Sequence, residues 1–196
     1  MGFLLINIFM KNWCRLDIPG WQNHQTQFQE FVLSRVGHSN QVYNYISVPD
    51  FEQGCAALAQ LLETQLGKLE RLIIFKMNHD AMQKLDDLFI HVDSGIQPAR
   101  LNWPVLNPTS VITRTFEVIS QDYQPTKHFI NPPYKAYIDK YDPAHCREVD
   151  SVCFDQPTVF NIFRPHGMFV NGNIWPRIMA SFNFQDPAVL TKYLEE

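Results

Sequence analysis

The spacing of apolar side chains predicts a mixture of helices and strands in the N-terminal part of the chain. Apolar residues spaced three or four positions apart predict a helix over residues 23–35, with the apolar stripe Phe28, Phe31, Val32 and Val36. Residues 42–48 alternate and are rich in β-formers, which predicts a strand. Residues 49–66 predict a second helix, with the stripe Cys55, Leu58, Leu61, Leu62 and Leu66. The short apolar runs 3–9 and 72–75 predict two further strands.

From residue 88 onwards the pattern changes to short β runs. Turn-forming clusters of Asp, Asn, Gly and Pro separate predicted strands at 88–93, 99–106, 111–119, 148–154, 158–165, 166–170 and 177–184. Residues 186–194 predict a closing helix. Residues 120–147 are rich in proline and tyrosine and show little periodicity, so they predict a long irregular segment of the kind that often has a function. Its tyrosines, Tyr134, Tyr137 and Tyr141, either line a lid or lie on the surface.

Helices followed by many closely spaced strands indicate an antiparallel barrel or sandwich backed by helices. A length of 196 residues suits one domain and is short for two. We therefore expect residues 1–196 to form a single domain. Its mainly β core would be supported by the helices and strands of residues 1–84 and closed by the helix at 186–194.

The composition narrows the range of partners. Hydrophobic residues make up 45% of the chain and aromatic residues 13%, as in a packed globular protein. The net charge is −4 and there is no basic run, which argues against binding to nucleic acid or to an anionic membrane. The expected partner is a small molecule or a peptide.

The cysteines and the N-terminal run bear on localisation. Cys14, Cys55, Cys146 and Cys153 include no CxxC pair, which argues against a zinc ribbon and for reduced, mostly buried thiols in a cytoplasmic protein. The apolar run at 3–9 is too short to span a bilayer, and no basic leader precedes it. A cytoplasmic location is therefore expected.

Three residues have the chemistry of a metal site. His91 and Asp93 are two apart at the end of a predicted strand, so their side chains point to the same side. His166 lies in a second β run. Two imidazoles and one carboxylate, with coordination positions left open, form the ligand set of non-haem Fe(II) oxygenases.

Arg177 follows His166 at the start of the last predicted strand. Its planar guanidinium suits the carboxylate of a co-substrate. The turn Asn171-Gly172-Asn173 is expected to form a hairpin that brings Arg177 beside His166. Each residue alone also has an ordinary structural interpretation: a core histidine for His91, a turn residue for Asp93, a surface turn for His166 and a solvated strand position for Arg177.

His91-Val92-Asp93, the distant His166 and Arg177 together resemble the signature of the 2-oxoglutarate and Fe(II)-dependent oxygenases. The resemblance implies a double-stranded β-helix (a jelly-roll, cupin-like barrel) over about residues 85–184. It further implies that His91, Asp93 and His166 bind Fe(II), that 2-oxoglutarate chelates the iron, and that Arg177 pairs with its far carboxylate. O2 would be the second co-substrate, and the outcome an oxidation such as hydroxylation of a small polar molecule or an amino-acid side chain.

A finer similarity points to the aspartyl/asparaginyl β-hydroxylase branch, in which an Arg-x-His pair lies on the strand after the first metal histidine. Arg100-Leu101-Asn102 stands there in this chain, which implies a cofactor-binding role for Asn102. Arg100 would bind a substrate carboxylate or a co-substrate oxygen, or it is an ordinary strand arginine paired with a nearby acid. The chain departs from that branch in having Asn102 in place of the histidine and in having the carboxylate of Asp93. It also has Met179 where several plant-type members carry a serine two residues after the arginine.

Two alternatives keep the barrel and change its function. One is a cupin-like metalloenzyme, such as an isomerase or a dioxygenase, that does not use 2-oxoglutarate and so has no need of Arg177 as a carboxylate clamp. The other is a non-catalytic binding module whose stability does not depend on a metal.

Overall fold

The computed structural model describes residues 10–78, 90–93, 97–130 and 136–195. Within these ranges it contains four α-helices: α1 (Gln22–Val36), α2 (Val48–Gly54), α3 (Ala56–Leu66) and α4 (Ala188–Glu195). Its twelve strands are β1 (Trp13–Arg15), β2 (Tyr43–Ile46), β3 (Leu69–Met77), β4 (Ile90–Val92), β5 (Ala99–Leu106), β6 (Val111–Val118), β7 (Thr126–Ile130), β8 (Ala136–Tyr141), β9 (Cys146–Val152), β10 (Thr158–Asn161), β11 (His166–Val170) and β12 (Arg177–Phe184). The predicted strand at 3–9 lies outside the described residues.

The strands form two six-stranded antiparallel sheets. The first has the order β1-β10-β5-β12-β3-β2 and the second the order β7-β8-β4-β11-β6-β9. From β3 to β6, and again from β9 to β12, each successive strand lies in the other sheet. This is the strand arrangement of a jelly roll, also called a double-stranded β-helix. The predicted fold class, mainly β with flanking helices, is confirmed, although neither sheet closes on itself.

The sheets pack face to face, and the helices cover the outer face of the first sheet. Every residue of β12 is buried, since one of its faces meets the helices and the other meets the second sheet. Phe182 of β12 packs against Phe28 of α1 and Phe51 of α2, with ring centroids 5.8 and 5.6 Å apart. Met179, on the opposite face of β12, packs with Val152 of the second sheet. The space between the sheets is therefore the place where inward-facing polar side chains can meet.

Lys76 of β3 joins the first sheet to the end of α1. Its buried ammonium donates to the backbone carbonyls of Val36, Gly37 and Ser39 at 3.2, 2.6 and 2.8 Å. A cation at this position satisfies carbonyls that a helix C-terminus leaves without intrahelical partners. The contact fixes how α1 lies on the sheet.

The prediction of one continuous helix over residues 49–66 is wrong. Cys55 leaves the helical conformation, with φ −134° and ψ 47°, and separates α2 from α3. Gly54 approaches α1 so closely that a Cβ there would lie 2.3 Å from Cε2 of Phe31. The apolar stripe continues through the buried Cys55, so the hydrophobic pattern alone gives no sign of the break.

The prediction of an irregular segment at 120–147 is also wrong. β7 and β8 form an antiparallel hairpin, and β8 pairs with β4, so the segment extends the second sheet. The described side chains of β7 are exposed, and an edge strand with water on both faces needs no apolar alternation. Tyr141 packs near Tyr123, with ring centroids 6.2 Å apart. Tyr134 and the side chain of Tyr137 lie outside the described part of the structure.

The turn at residues 171–173 does not form the predicted hairpin. β11 belongs to the second sheet and β12 to the first, where Arg177 faces Met77 of β3 across the strand pair. The connection therefore crosses from one sheet to the other and leads into β12, one of the two middle strands of the first sheet. β3 is longer than the predicted run 72–75, and its pairing with β12 means that the core strands begin before residue 85.

All four cysteines are free thiols. Only Cys55 is buried, and the other three are partly exposed, so the prediction that most of them are buried is wrong. Among the described residues, no helix combines the length and the apolar character needed to cross a membrane.

Candidate metal centre

Two strands of the second sheet bring His91 and His166 together. The two residues are direct partners across the antiparallel pair β4 and β11, and their ring centroids are 4.4 Å apart. Asp93 follows β4, where its backbone N–H donates to the carbonyl of Ile162 at 3.2 Å. One ligand atom from each of His91, Asp93 and His166 lies within 4.8 Å of those of the other two. These three side chains are placed so that one ion could bind all of them.

The Asp93 carboxylate lies between two nitrogen donors. His91 Nε2 is 3.3 Å from Oδ1, and Arg100 Nη1 is 3.5 Å from Oδ2. Burial would raise the pKa of Asp93, but the hydrogen bond from His91 and then the charge of Arg100 outweigh it and hold this pKa well below its usual range. Asp93 is therefore a carboxylate at neutral pH, which is the form that binds a metal.

His166 is set up as a neutral ligand. Its Nδ1 lies 2.8 Å from the backbone carbonyl of Arg164, and because a carbonyl can only accept, Nδ1 carries the proton and Nε2 keeps its lone pair. Burial, followed by the electrostatic effect of the neighbouring His91, lowers the pKa of His166 to about 4. The Phe160 ring from the first sheet packs nearly perpendicular to the imidazole, with the ring centroids 5.0 Å apart. The alternative of a surface turn residue at 166 is wrong, since His166 is buried within β11.

Arg177 is a fully buried cation beside two thioethers. It is only 1% exposed; its Nη2 lies 3.2 Å from Sδ of Met179, and its Nη1 lies 3.9 Å from Sδ of Met77. Within the described ranges, no carboxylate lies within ion-pair distance of this guanidinium, and its Nε has no hydrogen-bond partner. Burial lowers the pKa of Arg177 to about 10. Thioether sulfur is a weak acceptor, so a buried charge in this setting calls for an anion.

Further polar groups face the space between the sheets. Asn102 of β5 pairs with Ser181 of β12 on one side and with Thr158 of β10 on the other, so all three side chains share a face. Ser181 is completely buried and its Oγ has no hydrogen-bond partner. Thr113 of β6, on the second sheet, is 2% exposed and its Oγ1 also lacks a partner. Unsatisfied buried hydroxyls need an explanation, and a polar ligand between the sheets is one.

The residues predicted from the sequence thus fall into two groups. One group is the cluster of His91, Asp93 and His166, together with Arg100, which lies within ion-pair distance of Asp93. Arg177 and Asn102 lie on the inward face of the first sheet, and no described contact joins either of them to the cluster. The alternative of a solvated strand position for Arg177 is wrong.

Sequence reasoning missed Ser181, Thr113 and Tyr43. Ser181 is four residues after Arg177 and shares its strand face, which is a signal that could have been used. Tyr43 of β2 packs edge-on to Phe75 at 5.3 Å, and its pKa is raised by burial and by the charge of Asp93. No local pattern in residues 42–48 marks Tyr43 as a neighbour of residue 93. A separate surface pocket of about 450 Å³ at α2, α3 and the start of β3 shares no residue with either group.

Comparison with known proteins gives matches of structure only. No family model matches the chain, and no curated protein matches it. A crystal structure of the non-heme alpha ketoglutarate dependent epimerase SnoN from nogalamycin biosynthesis gives a TM-score of 0.46 at 11% identity, covering 88% of this chain and 77% of that one. The same epimerase in complex with Fe3+, alpha ketoglutarate and nogalamycin RO gives 0.43 at 11% identity, covering 88% and 78%. What this chain does is inferred below from its own residues.

Proposed function

We propose that this protein is a non-haem Fe(II) and 2-oxoglutarate-dependent oxygenase. The observation that carries the proposal is a two-histidine, one-carboxylate cluster in the same sandwich as a buried arginine that has no acidic partner among the described residues. The cluster supports a metal, and the arginine supports a co-substrate with a free carboxylate. Neither the cupin-like alternative without 2-oxoglutarate nor the binding module explains both features.

His91, Asp93 and His166 would hold Fe(II), since two imidazoles and one carboxylate are the ligand set of non-haem iron oxygenases. Neutral His166 and ionised Asp93 have the protonation states that metal binding requires. When bound, iron with 2-oxoglutarate and O2 supplies the oxidising chemistry, in which the keto acid becomes succinate and CO2 and the substrate is oxidised. The task of the chain is to place the reactants and to keep water out of the space between the sheets.

Arg177 would bind the far carboxylate of 2-oxoglutarate. A charge-assisted contact of this kind contributes about 1.5–3 kcal/mol. Met77 and Met179 hold the guanidinium without neutralising it, so its charge stays available for the ligand. Asn102 and the free hydroxyls of Ser181 and Thr113 would supply the uncharged contacts of the same pocket, in line with the cofactor-binding role proposed for Asn102.

The reaction is proposed to be a hydroxylation or a related oxidation of a small polar molecule or an amino-acid side chain. Arg100 is the proposed substrate contact, because its Nε is buried without a partner while Nη1 faces Asp93. The aspartyl/asparaginyl β-hydroxylase branch stays a prediction that depends on the sequence resemblance.

The test distinguishes metal binding from co-substrate binding. The protein is purified anaerobically, and Fe(II) binding, 2-oxoglutarate binding and succinate formation are measured for the wild type, His166→Ala and Arg177→Met. We expect His166→Ala to lose the metal. Arg177→Met should keep the metal and bind 2-oxoglutarate about 10- to 100-fold more weakly.

Two control variants, exposed His38→Ala and Arg35→Met, should match the wild type in all three measurements. Full iron binding and turnover in His166→Ala would contradict the metal assignment. Metal-dependent activity that survives in Arg177→Met would favour the cupin-like alternative. A wild-type protein that binds no Fe(II) and gains no stability from it would favour the binding module.

A further inference from the structure

Arg100 lies within ion-pair distance of Asp93, one of the three proposed metal ligands. Its Nη1 lies 3.5 Å from Oδ2 of Asp93, while the other carboxylate oxygen, Oδ1, lies 3.3 Å from His91 Nε2. In the part of the chain that the structure describes, Asp93 is the one acid within ion-pair distance of Arg100. The carboxylate is therefore held by one oxygen on each side, between an imidazole and a guanidinium.

The side chain of Arg100 also has little freedom of movement. Its side chain is only 16% exposed, and its place on β5 is fixed by pairing with Phe160 of β10, whose ring packs against His166. Asp93 follows the end of β4, and its backbone N–H donates to the carbonyl of Ile162. The contact therefore links a carboxylate after a strand end to a rigid central strand of the facing sheet.

We propose that Arg100 is a positioning residue for Asp93: it holds Oδ2 so that Oδ1 is presented to the ion shared with His91 and His166. The inference rests on the proposed metal-binding function and deepens it. Carboxylates that bind metals are commonly oriented by a hydrogen bond to the oxygen that does not bind, and loss of such a partner typically weakens metal affinity about 10- to 100-fold. This role is separate from a substrate contact, since it acts before any substrate is present.

Two opposing effects decide whether the loss of Arg100 weakens or strengthens metal binding. The positive charge of Arg100 repels a divalent ion, so its removal could by itself tighten binding. Removal also frees the Asp93 carboxylate to rotate and leaves its charge buried without a cationic partner. The proposal requires that orientation outweighs repulsion. Arg100→Lys keeps the charge but loses the planar fork, whereas Arg100→Met loses both.

The probe is Mn(II), titrated into the full-length, chelator-treated protein without 2-oxoglutarate or substrate. Isothermal titration gives the dissociation constant, and circular dichroism checks the fold of each variant. We expect Arg100→Met to bind Mn(II) about 10- to 100-fold more weakly than the wild type. Arg100→Lys should lie between them, and Arg35→Met should bind as the wild type does.

Folded Arg100 variants that bind Mn(II) within about twofold of the wild type, or more tightly, would overturn the positioning role and leave Arg100 as a substrate contact only. Should Arg100→Met fail to fold, Arg100→Lys alone decides the question in the same way. A wild-type protein that binds no Mn(II) or Fe(II) would instead overturn the proposed function itself. The two failures are therefore distinguishable within one set of titrations.

Discussion

The sulfur of Met179 lies 3.2 Å from Nη2 of Arg177, on the same face of the central strand β12. The position two residues after the arginine is thus filled by a polarisable group that supports the guanidinium without cancelling its charge. A cation buried in this way lowers the stability of the empty protein and raises the affinity for an anion. Stability and ligand binding at Arg177 should therefore change in opposite directions.

Arg177→Met should stabilise the ligand-free protein, by on the order of 1 kcal/mol or more, because it replaces a buried charge without a counterion by an apolar side chain of similar length. Urea denaturation followed by circular dichroism measures the free energy of unfolding. Mn(II) should stabilise both proteins, whereas 2-oxoglutarate added to the Mn(II)-loaded protein should stabilise the wild type further and the variant much less. A ligand-free variant that is several kcal/mol less stable would show that Arg177 is instead needed for the fold.

The metal-free protein should lose stability as the pH falls from about 6.5 to about 4. The folded pKa of His166 is about 4, whereas an unfolded histidine titrates near 6.5. In this window the unfolded chain therefore takes up a proton that the folded chain does not, and the free energy of unfolding decreases by up to roughly 3 kcal/mol. The depressed pKa of Asp93 acts at lower pH, since its contribution is present above the unfolded pKa of a carboxyl and is lost as the pH falls below it.

His166→Asn is the control for that pH dependence. Asparagine does not titrate, and its amide can still donate to the Arg164 carbonyl. The difference in unfolding free energy between wild type and variant should change between pH 6.5 and 4 and be constant above pH 7.5. A difference that is the same at every pH would mean that His166 is not the group responsible.

The sequence was most informative where one side of an element is buried. The stripe Phe28, Phe31, Val32 and Val36 predicted α1 almost to its ends, and β5, β11 and β12 have the predicted bounds. The cluster of His91, Asp93 and His166 could be anticipated because two of its members share a strand end. Nothing local, however, could assign β11 and β12 to different sheets, since that depends on which strands pair with the two edges of β12.

The missed features depend on long-range contacts or on solvent at both faces of a strand. The hairpin of β7 and β8 has no apolar periodicity because β7 is an exposed edge. Ser181 and Thr113 are ordinary strand residues by composition, and only their burial without hydrogen-bond partners sets them apart. The break at Cys55 follows Gly54, which packs closely against the Phe31 ring of α1, and the spacing of apolar residues within the segment does not reveal such a contact.

Gly54→Ala should destabilise the protein by about 1–3 kcal/mol, since the added methyl meets the Phe31 ring at 2.3 Å and helix α1 cannot move away without losing its own packing. Phe31→Leu removes the ring and supplies the matched background. In a double-mutant cycle, Gly54→Ala should cost markedly less in the Phe31→Leu protein, and the interaction energy measures the clash. Equal costs in the two backgrounds would mean that Gly54 is needed for its backbone conformation instead.

Ser181→Ala tests whether the inner polar face binds a ligand. The Ser181 hydroxyl is buried without a partner, so its removal from the ligand-free protein should leave the free energy of unfolding unchanged or raise it by up to about 1 kcal/mol. Ser110→Ala is the matched contrast, because that buried hydroxyl donates to the Ile174 carbonyl at 2.5 Å and its loss should destabilise by about 1–3 kcal/mol. If Ser181 serves the co-substrate pocket, the variant should also bind 2-oxoglutarate about 2- to 10-fold more weakly in the presence of Mn(II). A Ser181→Ala protein that is strongly destabilised would mean that the hydroxyl has a structural partner, and the case for a polar ligand at that face would be lost.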